Sequence, residues 1–172
     1  MKISLHILPI LTVLTLSAHS QETDTFDLHK TVIKKSIQLV TGFTFGRSKY
    51  VEIGIAKNSY AIVGHHPSSN TIFASTEMKF GQKFIIGPKI GCWAGGGVAG
   101  MAMGASMIYY TDFDDGTLVF RPDIGFGFAH FKFVYGYNFR LTKNKLAEID
   151  YSVGSIFIGI GIKKLKEKVV TW

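Results

Sequence analysis

The sequence predicts an all-β fold, an eight-stranded antiparallel up-and-down meander closed into a transmembrane β-barrel. Three observations predict it. Apolar residues alternate with polar or small ones at a period of two in segment after segment. Turn residues separate those segments. A 21-residue stretch, Ile90–Tyr110, carries no charged side chain yet is rich in glycine.

Residues 1–20 are set apart from the fold. Lys2 gives a positive start, "ILPILTVLTL" a short apolar core, and Ala18-His19-Ser20 a small-x-small cleavage site, the pattern of a secretory signal peptide. Its removal leaves 152 residues, enough for one domain, and lowers the formal net charge from +7 to +6. An exported basic chain meets anionic lipid or polysaccharide rather than nucleic acid. Cys92 is the only cysteine, so no intramolecular disulfide forms. Residues 21–35 are polar and aperiodic and read as a flexible periplasmic lead-in, 36–163 as the barrel and 164–172 as a C-terminal tail.

Eight strands are expected, over 36–45, 50–58, 70–80, 83–94, 98–111, 117–128, 131–141 and 152–163. Gly46-Arg47-Ser48, Gly81-Gln82, Gly95-Gly96-Gly97 and the run 112–116 mark turns, and 58–69 is the least defined connection. In "FKFVYGYNFRL" Phe131, Phe133, Tyr135, Tyr137, Phe139 and Leu141 alternate with Lys132, Val134, Gly136, Asn138 and Arg140. "GSIFIGIGI" sets Ile156, Ile158, Ile160 and Ile162 against Ser155, Phe157, Gly159 and Gly161. The uncharged stretch is long enough for a membrane helix. Six glycines between Gly91 and Gly104 oppose that, each costing about 1 kcal/mol in a helix relative to Ala. So does the charge flanking it, lysines before and aspartates after, the reverse of the positive-inside bias for an exported chain. As a hairpin folded at Gly95-Gly96-Gly97 it puts Met101 and Met103 on one face and Gly100, Ala102 and Gly104 on the other.

The two faces of the sheet choose their solvents. A soluble lipocalin-like barrel, a carrier of an apolar ligand, would turn the small, charge-poor face to water. A transmembrane barrel turns the apolar face to lipid and lets small residues make room inside the lumen. The lipid-facing set is Phe131, Phe133, Tyr135, Tyr137, Ile156, Ile158, Ile160, Met101 and Met103. Aromatics near strand ends, Phe45, Tyr50, Phe80, Phe84, Tyr109, Tyr110, Phe128 and Phe131, are placed where girdles meet headgroups. Inward positions collect Glu52, Glu77, Lys89, Arg121, Asp123, Lys132 and Arg140. Charges in a narrow lumen must be paired or hydrated, so they are expected to form a plugging network. A tight turn at Ala129-His130 sets Arg121 opposite Asn138 and Asp123 opposite Gly136.

In alternation and strand count over 36–163, the chain resembles the small eight-stranded outer-membrane barrels of Gram-negative bacteria, such as the membrane domain of outer-membrane protein A. The resemblance implies a meander barrel in the outer membrane with both termini in the periplasm. It departs from that pattern at "KLKEKVVTW", which puts the terminal aromatic Trp172 beyond the last strand.

The resulting expectation is a porin-like outer-membrane barrel with a structural or interaction role and no cofactor. Its partners are membrane lipid, with lipopolysaccharide a candidate, and no nucleic acid. The alternative is a lipid-modifying enzyme. "GHHPSSN" offers His65 or His66 to activate Ser68 or Ser69, with Glu77 to orient the imidazole. That cluster loosely resembles the His-x-Ser arrangement of lipid A deacylases, with Pro67 and an extra serine intervening. The bland reading is a polar turn. No metal-ligand spacing and no phosphate loop following a strand is present.

Overall fold

Alternation at a period of two lets each segment satisfy its backbone only through neighbours, and the neighbours are arranged as a closed ring. The structure, a computed structural model, describes residues 30–63, 66–80, 83–97, 100–127, 130–142, 146 and 149–171. Nine strand segments follow in order: β1 (Lys30–Phe45), β2 (Lys49–Val63), β3 (His66–Lys79), β4 (Ile85–Gly96), β5 (Met101–Thr111), β6 (Gly116–Gly127), β7 (Phe131–Tyr137), β8 (Phe139–Arg140) and β9 (Ser152–Thr171). Each strand from β1 to β6 pairs antiparallel with the next, β7 pairs with β9, and β9 with β1. β8 prolongs the path of β7 along β6 after a break at Asn138, so the ring has eight strands. The fold is all-β, an antiparallel meander closed in an eight-stranded, barrel-like ring.

The uncharged stretch is the β4–β5 hairpin, with Gly96 opposite Met101. Gly95 and Gly96 belong to β4, and the turn lies four residues wide over 97–100, later than expected. Gly97 and Gly100 take φ of 77° and 62°, the left-handed region that glycine enters without a Cβ penalty. Thr111 to Gly116 closes the β5–β6 hairpin at the opposite end. Asp123 faces Gly136 in the β6–β7 pair, which is the register expected.

Strand lengths differ most from expectation at the end holding both termini. β2 runs to Val63 and β3 starts at His66, so the supposed 58–69 connection shrinks to two residues. β1 starts at Lys30, inside the expected lead-in, and β9 extends through the expected tail to Thr171. A hydrophobic period marks only the apolar part of a strand. Backbone pairing continues through Lys34, Lys35, Ser59 and Lys163–Lys168, where no apolar alternation signals it. β9 also bulges twice against β1, leaving Ile162 and Leu165 without partners. The expected signal peptide (1–20) lies outside the described residues.

Inside the ring sit two apolar clusters. One joins Tyr50, Ile85, Ile108, Tyr110 and Val119 to Leu146 and Ile149 from the 141–151 loop. The other joins Phe73, Trp93, Val134, Phe157 and Ala56. Small residues create the space for them. A Cβ on Gly104 would strike the Trp93 ring, and one on Gly42 would come 2.5 Å from Phe157.

Candidate functional site

Among the described residues the lumen brings reactive groups together, and strand alternation delivers them there. Glu52 and Glu77 are direct partners across β2 and β3, so two carboxylates face each other in a buried interior. Such a pair is tolerable only with cations between them. Lys89 from β4 supplies one, with Nζ 3.0 Å from Glu52 Oε2 and 2.9 Å from Glu77 Oε1. Arg121 from β6 supplies the other, donating from Nη1 to Glu77 Oε1 at 2.6 Å and from Nη2 to Glu77 Oε2 at 3.3 Å. The Tyr110 hydroxyl donates to Glu77 Oε2 and accepts from Arg121 Nη2 at 2.5 Å. Ser75 Oγ donates to Glu52 Oε1 at 2.5 Å. Arg121 Nε reaches Asn138 Oδ1 at 2.7 Å. Arg121 is 1% exposed and Glu77 fully buried, so these bonds stand in for water.

The network is tied to a cap. The Asn138 amide donates from Nδ2 to the Asp150 carbonyl at 2.7 Å, and its backbone N–H to the Tyr151 carbonyl at 2.6 Å. Asp150 Oδ2 accepts the Ser48 N–H at 2.7 Å. Leu146 and Ile149 thereby close the loop-side mouth over Tyr50 and Tyr110, whose rings lie 5.5 Å apart.

Beneath the network, Phe73, Trp93 and Phe157 form an aromatic layer across the lumen, edge-on at 5.5 Å and 4.7 Å between centroids. Lys89 lies over the Phe157 ring at 5.0 Å on one side. Lys132 lies over Trp93 at 3.9 Å and donates to Thr71 Oγ1 at 3.3 Å. The neighbouring cavity, bordered by Gln38, Thr71, His130 and Lys132, holds about 20 Å³, room for little more than one water.

The seven charges expected to form one network therefore divide. Glu52, Glu77, Lys89 and Arg121 are joined by ion pairs. Asp123 is buried beside them with Oδ2 unpartnered among the described residues. Lys132 is buried but has no carboxylate within ion-pair distance among the described residues. Arg140 sits at the rim, donating to the Ile149 carbonyl at 2.5 Å and lying 4.7 Å over the Tyr151 ring, so it serves the cap. Asn138, expected opposite Arg121, accepts its Nε–H, whereas Tyr110 and Ser75, which complete the bonds of the network, escaped the sequence reading. Tyr110 and Tyr50 were expected at a girdle, yet their parity turns them inward. Tyr110 alternates with Tyr109, and only one of an adjacent pair can face out.

The outer face is the reverse of the lumen. Phe131, Phe133, Tyr135, Tyr137, Ile158, Ile160, Met101 and Met103 are all exposed and Ile156 half-buried. Ile72, Ile90, Ile124 and Phe126 join them at 55–69% exposure. At the loop end Phe84 stacks between Phe80 and Phe113, and Tyr137 between Phe139 and Tyr151.

Of the hydrolase-like cluster, the serines and Glu77 are described. Ser69 is inward and donates to Asn58 Oδ1 at 2.9 Å, while Ser68 is on the opposite face. Both oxygens of Glu77 are engaged within the network. His65 and the His66 side chain lie outside the described parts. Among the described residues no cluster of His, Cys, Asp and Glu could hold a metal ion. No protein-family model matches the chain, and neither a curated protein nor a solved structure is significantly similar to it.

Proposed function

We propose that this chain is an exported outer-membrane β-barrel, its lumen plugged by the Glu52–Lys89–Glu77–Arg121 network, with a structural or interaction role. One observation carries the reading, the inversion of ordinary burial. Arg121, Lys89, Glu52 and Glu77 are inside, and a continuous face of Ile, Phe, Met and Tyr is outside. In water that outer face would far exceed the few hundred Å² of contiguous apolar patch that soluble monomers expose. In hydrocarbon it is the matching surface, and ring closure satisfies the strand edges that lipid could not. The aromatic stacks at the loop end suit a headgroup boundary. Three turns at the terminus end span two to four residues, and the longest loop, 141–151, is at the other end. Short turns on the periplasmic side and long loops outside are the habit of such barrels.

A soluble carrier would need an apolar cavity inside the ring, where this chain keeps its ions. The plug makes the barrel a poor channel, so it is expected to give no stepwise conductance in planar bilayers. Fractionation tests the reading directly. The chain should sediment with outer membranes, require detergent for release, and migrate faster on a gel before boiling than after. Release into buffer without detergent would overturn it.

A further inference from the structure

Across β2, β1 and β9 the outward residues form rows that can be read from the register. The row Ile55–Leu39–Ile160 is apolar. The next, Lys57–Ile37–Lys163, brings two lysines, followed by Ser59–Lys35–Lys166 and then Ala61–Ile33–Lys168. The two bulges in β9 set this pattern, because they bring Lys163, Lys166 and Lys168 opposite outward positions of β1. All five lysines are exposed, and none has an acidic partner among the described residues. Lys35 and Lys57 border an outer groove with Ser59, Asn70 and Ile72, which places them on the same side as the apolar band. Among the described residues, the ion pair in this region, Lys34–Glu167 at 3.1 Å, lies on the other face of the same strands. Outward Glu and Asp are absent from these rows.

We infer that these lysine rows bind the phosphate groups of anionic phospholipids in the leaflet on the short-turn side, which under the reading proposed above is the periplasmic leaflet. The inference rests on that reading. The lysines begin in the row directly after the apolar band ends, where a headgroup layer must begin. Three rows occupy about 13 Å along the strands, or about 9 Å along the membrane normal at a 45° tilt, close to the several ångströms of one headgroup layer. Long lysine stems reach from an apolar surface to such a layer. The loop end differs in kind. Lys83 there pairs with Asp112 at 3.3 Å, and Asp114 and Asp115 stand beside them. Arg47 and Lys49 share that end with these acids, whereas the lysine rows on the short-turn side have no outward acid among them.

Spin-labelled lipids test this with the full chain reconstituted in phosphatidylcholine vesicles. A membrane-spanning chain yields a motionally restricted component with any labelled lipid. The restricted fraction should favour labelled phosphatidylglycerol over labelled phosphatidylcholine by about threefold, below the roughly fivefold that one near-surface lysine is worth, because only part of the perimeter carries lysines. The preference should fall towards unity in 1 M salt for the unmodified chain. It should also vanish when Lys35, Lys57, Lys163, Lys166 and Lys168 are all changed to Gln, and survive Lys49→Gln/Lys83→Gln at the loop end. A restricted component with no lipid preference would overturn the lysine site and leave the membrane reading intact. Preference lost with Lys49 and Lys83 instead would place the contact on the opposite leaflet and overturn it too. Absence of any restricted component would remove the membrane reading itself.

Discussion

Each half of the lumen buries a lysine, and the two halves treat it in opposite ways. On the loop side of the aromatic layer, Lys89 and Arg121 are each bonded to Glu77, and every oxygen of Glu52 and Glu77 has a donor. On the terminus side, Lys132 is nearly as buried but has only a hydroxyl and an indole face. Burial alone therefore says little about what a charge contributes. A paired charge supports its neighbours and strands them when it leaves, whereas a solitary one carries its desolvation cost by itself.

The largest effect is expected from Glu77→Ala. It removes the shared acceptor of Lys89, Arg121 and Tyr110 and leaves Arg121 with no carboxylate bonded to it and Lys89 with Glu52 alone. Urea unfolding in detergent or vesicles should show a loss of about 3–5 kcal/mol, the cost of breaking a buried pair from one side. Lys89→Met should fall in the same range, because it leaves Glu52 facing Glu77 with no cation bridging the two and no cation bonded to Glu52. A loss under 1 kcal/mol for both would mean that water, not the lumen network, serves these groups.

Trp93→Ala attacks the boundary between the halves. The indole fills the room left by Gly104 and meets Phe73 and Phe157 edge-on. Its loss should cost about 3–5 kcal/mol through cavity formation. It should also let water reach Lys89 from the terminus side, seen as faster exchange of labile lumen protons.

Lys132→Met is the counterpart of Lys89→Met, and the pair is the sharpest test of the comparison. Loss of one hydrogen bond to Thr71 costs about 1 kcal/mol, while removal of a solitary buried ammonium offsets it. The net change should lie within about 1 kcal/mol of zero, measured by the same unfolding assay. A loss as large as that of Lys89→Met would show that Lys132 has an acidic or lipid partner of its own.

How far these halves could be read from the sequence follows from what alternation encodes. A period of two states which face a residue takes, so Glu52, Glu77, Lys89, Arg121, Asp123 and Lys132 were all placed inward from sequence. It does not state height along the lumen, which depends on the stagger between neighbouring strands. Lys132 and Lys89 share a face but lie on opposite sides of Trp93, and that separation appears only when the ring is closed. Tyr110 was missed because an aromatic near a strand end reads as a girdle residue until its partner Tyr109 claims the outer face. The 141–151 cap was missed because Leu146 and Ile149 are isolated apolar residues in a polar loop, without a period. The strand extensions at the terminus end were missed because lysines and serines pair their backbones as well as isoleucines do.

The smallest effect lies outside both halves, at the loop between β5 and β6, and it separates lumen electrostatics from loop electrostatics. The Asp112 carboxylate accepts the backbone N–H of Asp115 at 2.8 Å and of Asp114 at 3.3 Å, with Lys83 Nζ at 3.3 Å. Chiefly through the Asp115 N–H, this holds its carboxyl below the usual aspartate range. A lowered native value means that the contribution to loop order is complete above the ordinary aspartate pKa of about 3.9 and is lost as pH falls through the native value. Protection of the Asp115 amide, its exchange rate measured against the intrinsic rate at each pH, should therefore fall only in that acidic window. Asp112→Asn should abolish the pH dependence, since the amide oxygen still accepts the N–H but does not titrate. The unfolding midpoint near neutral pH should barely move in that variant, in contrast to Glu77→Ala. A large shift for Asp112→Asn would tie the loop to the lumen network and undo the separation.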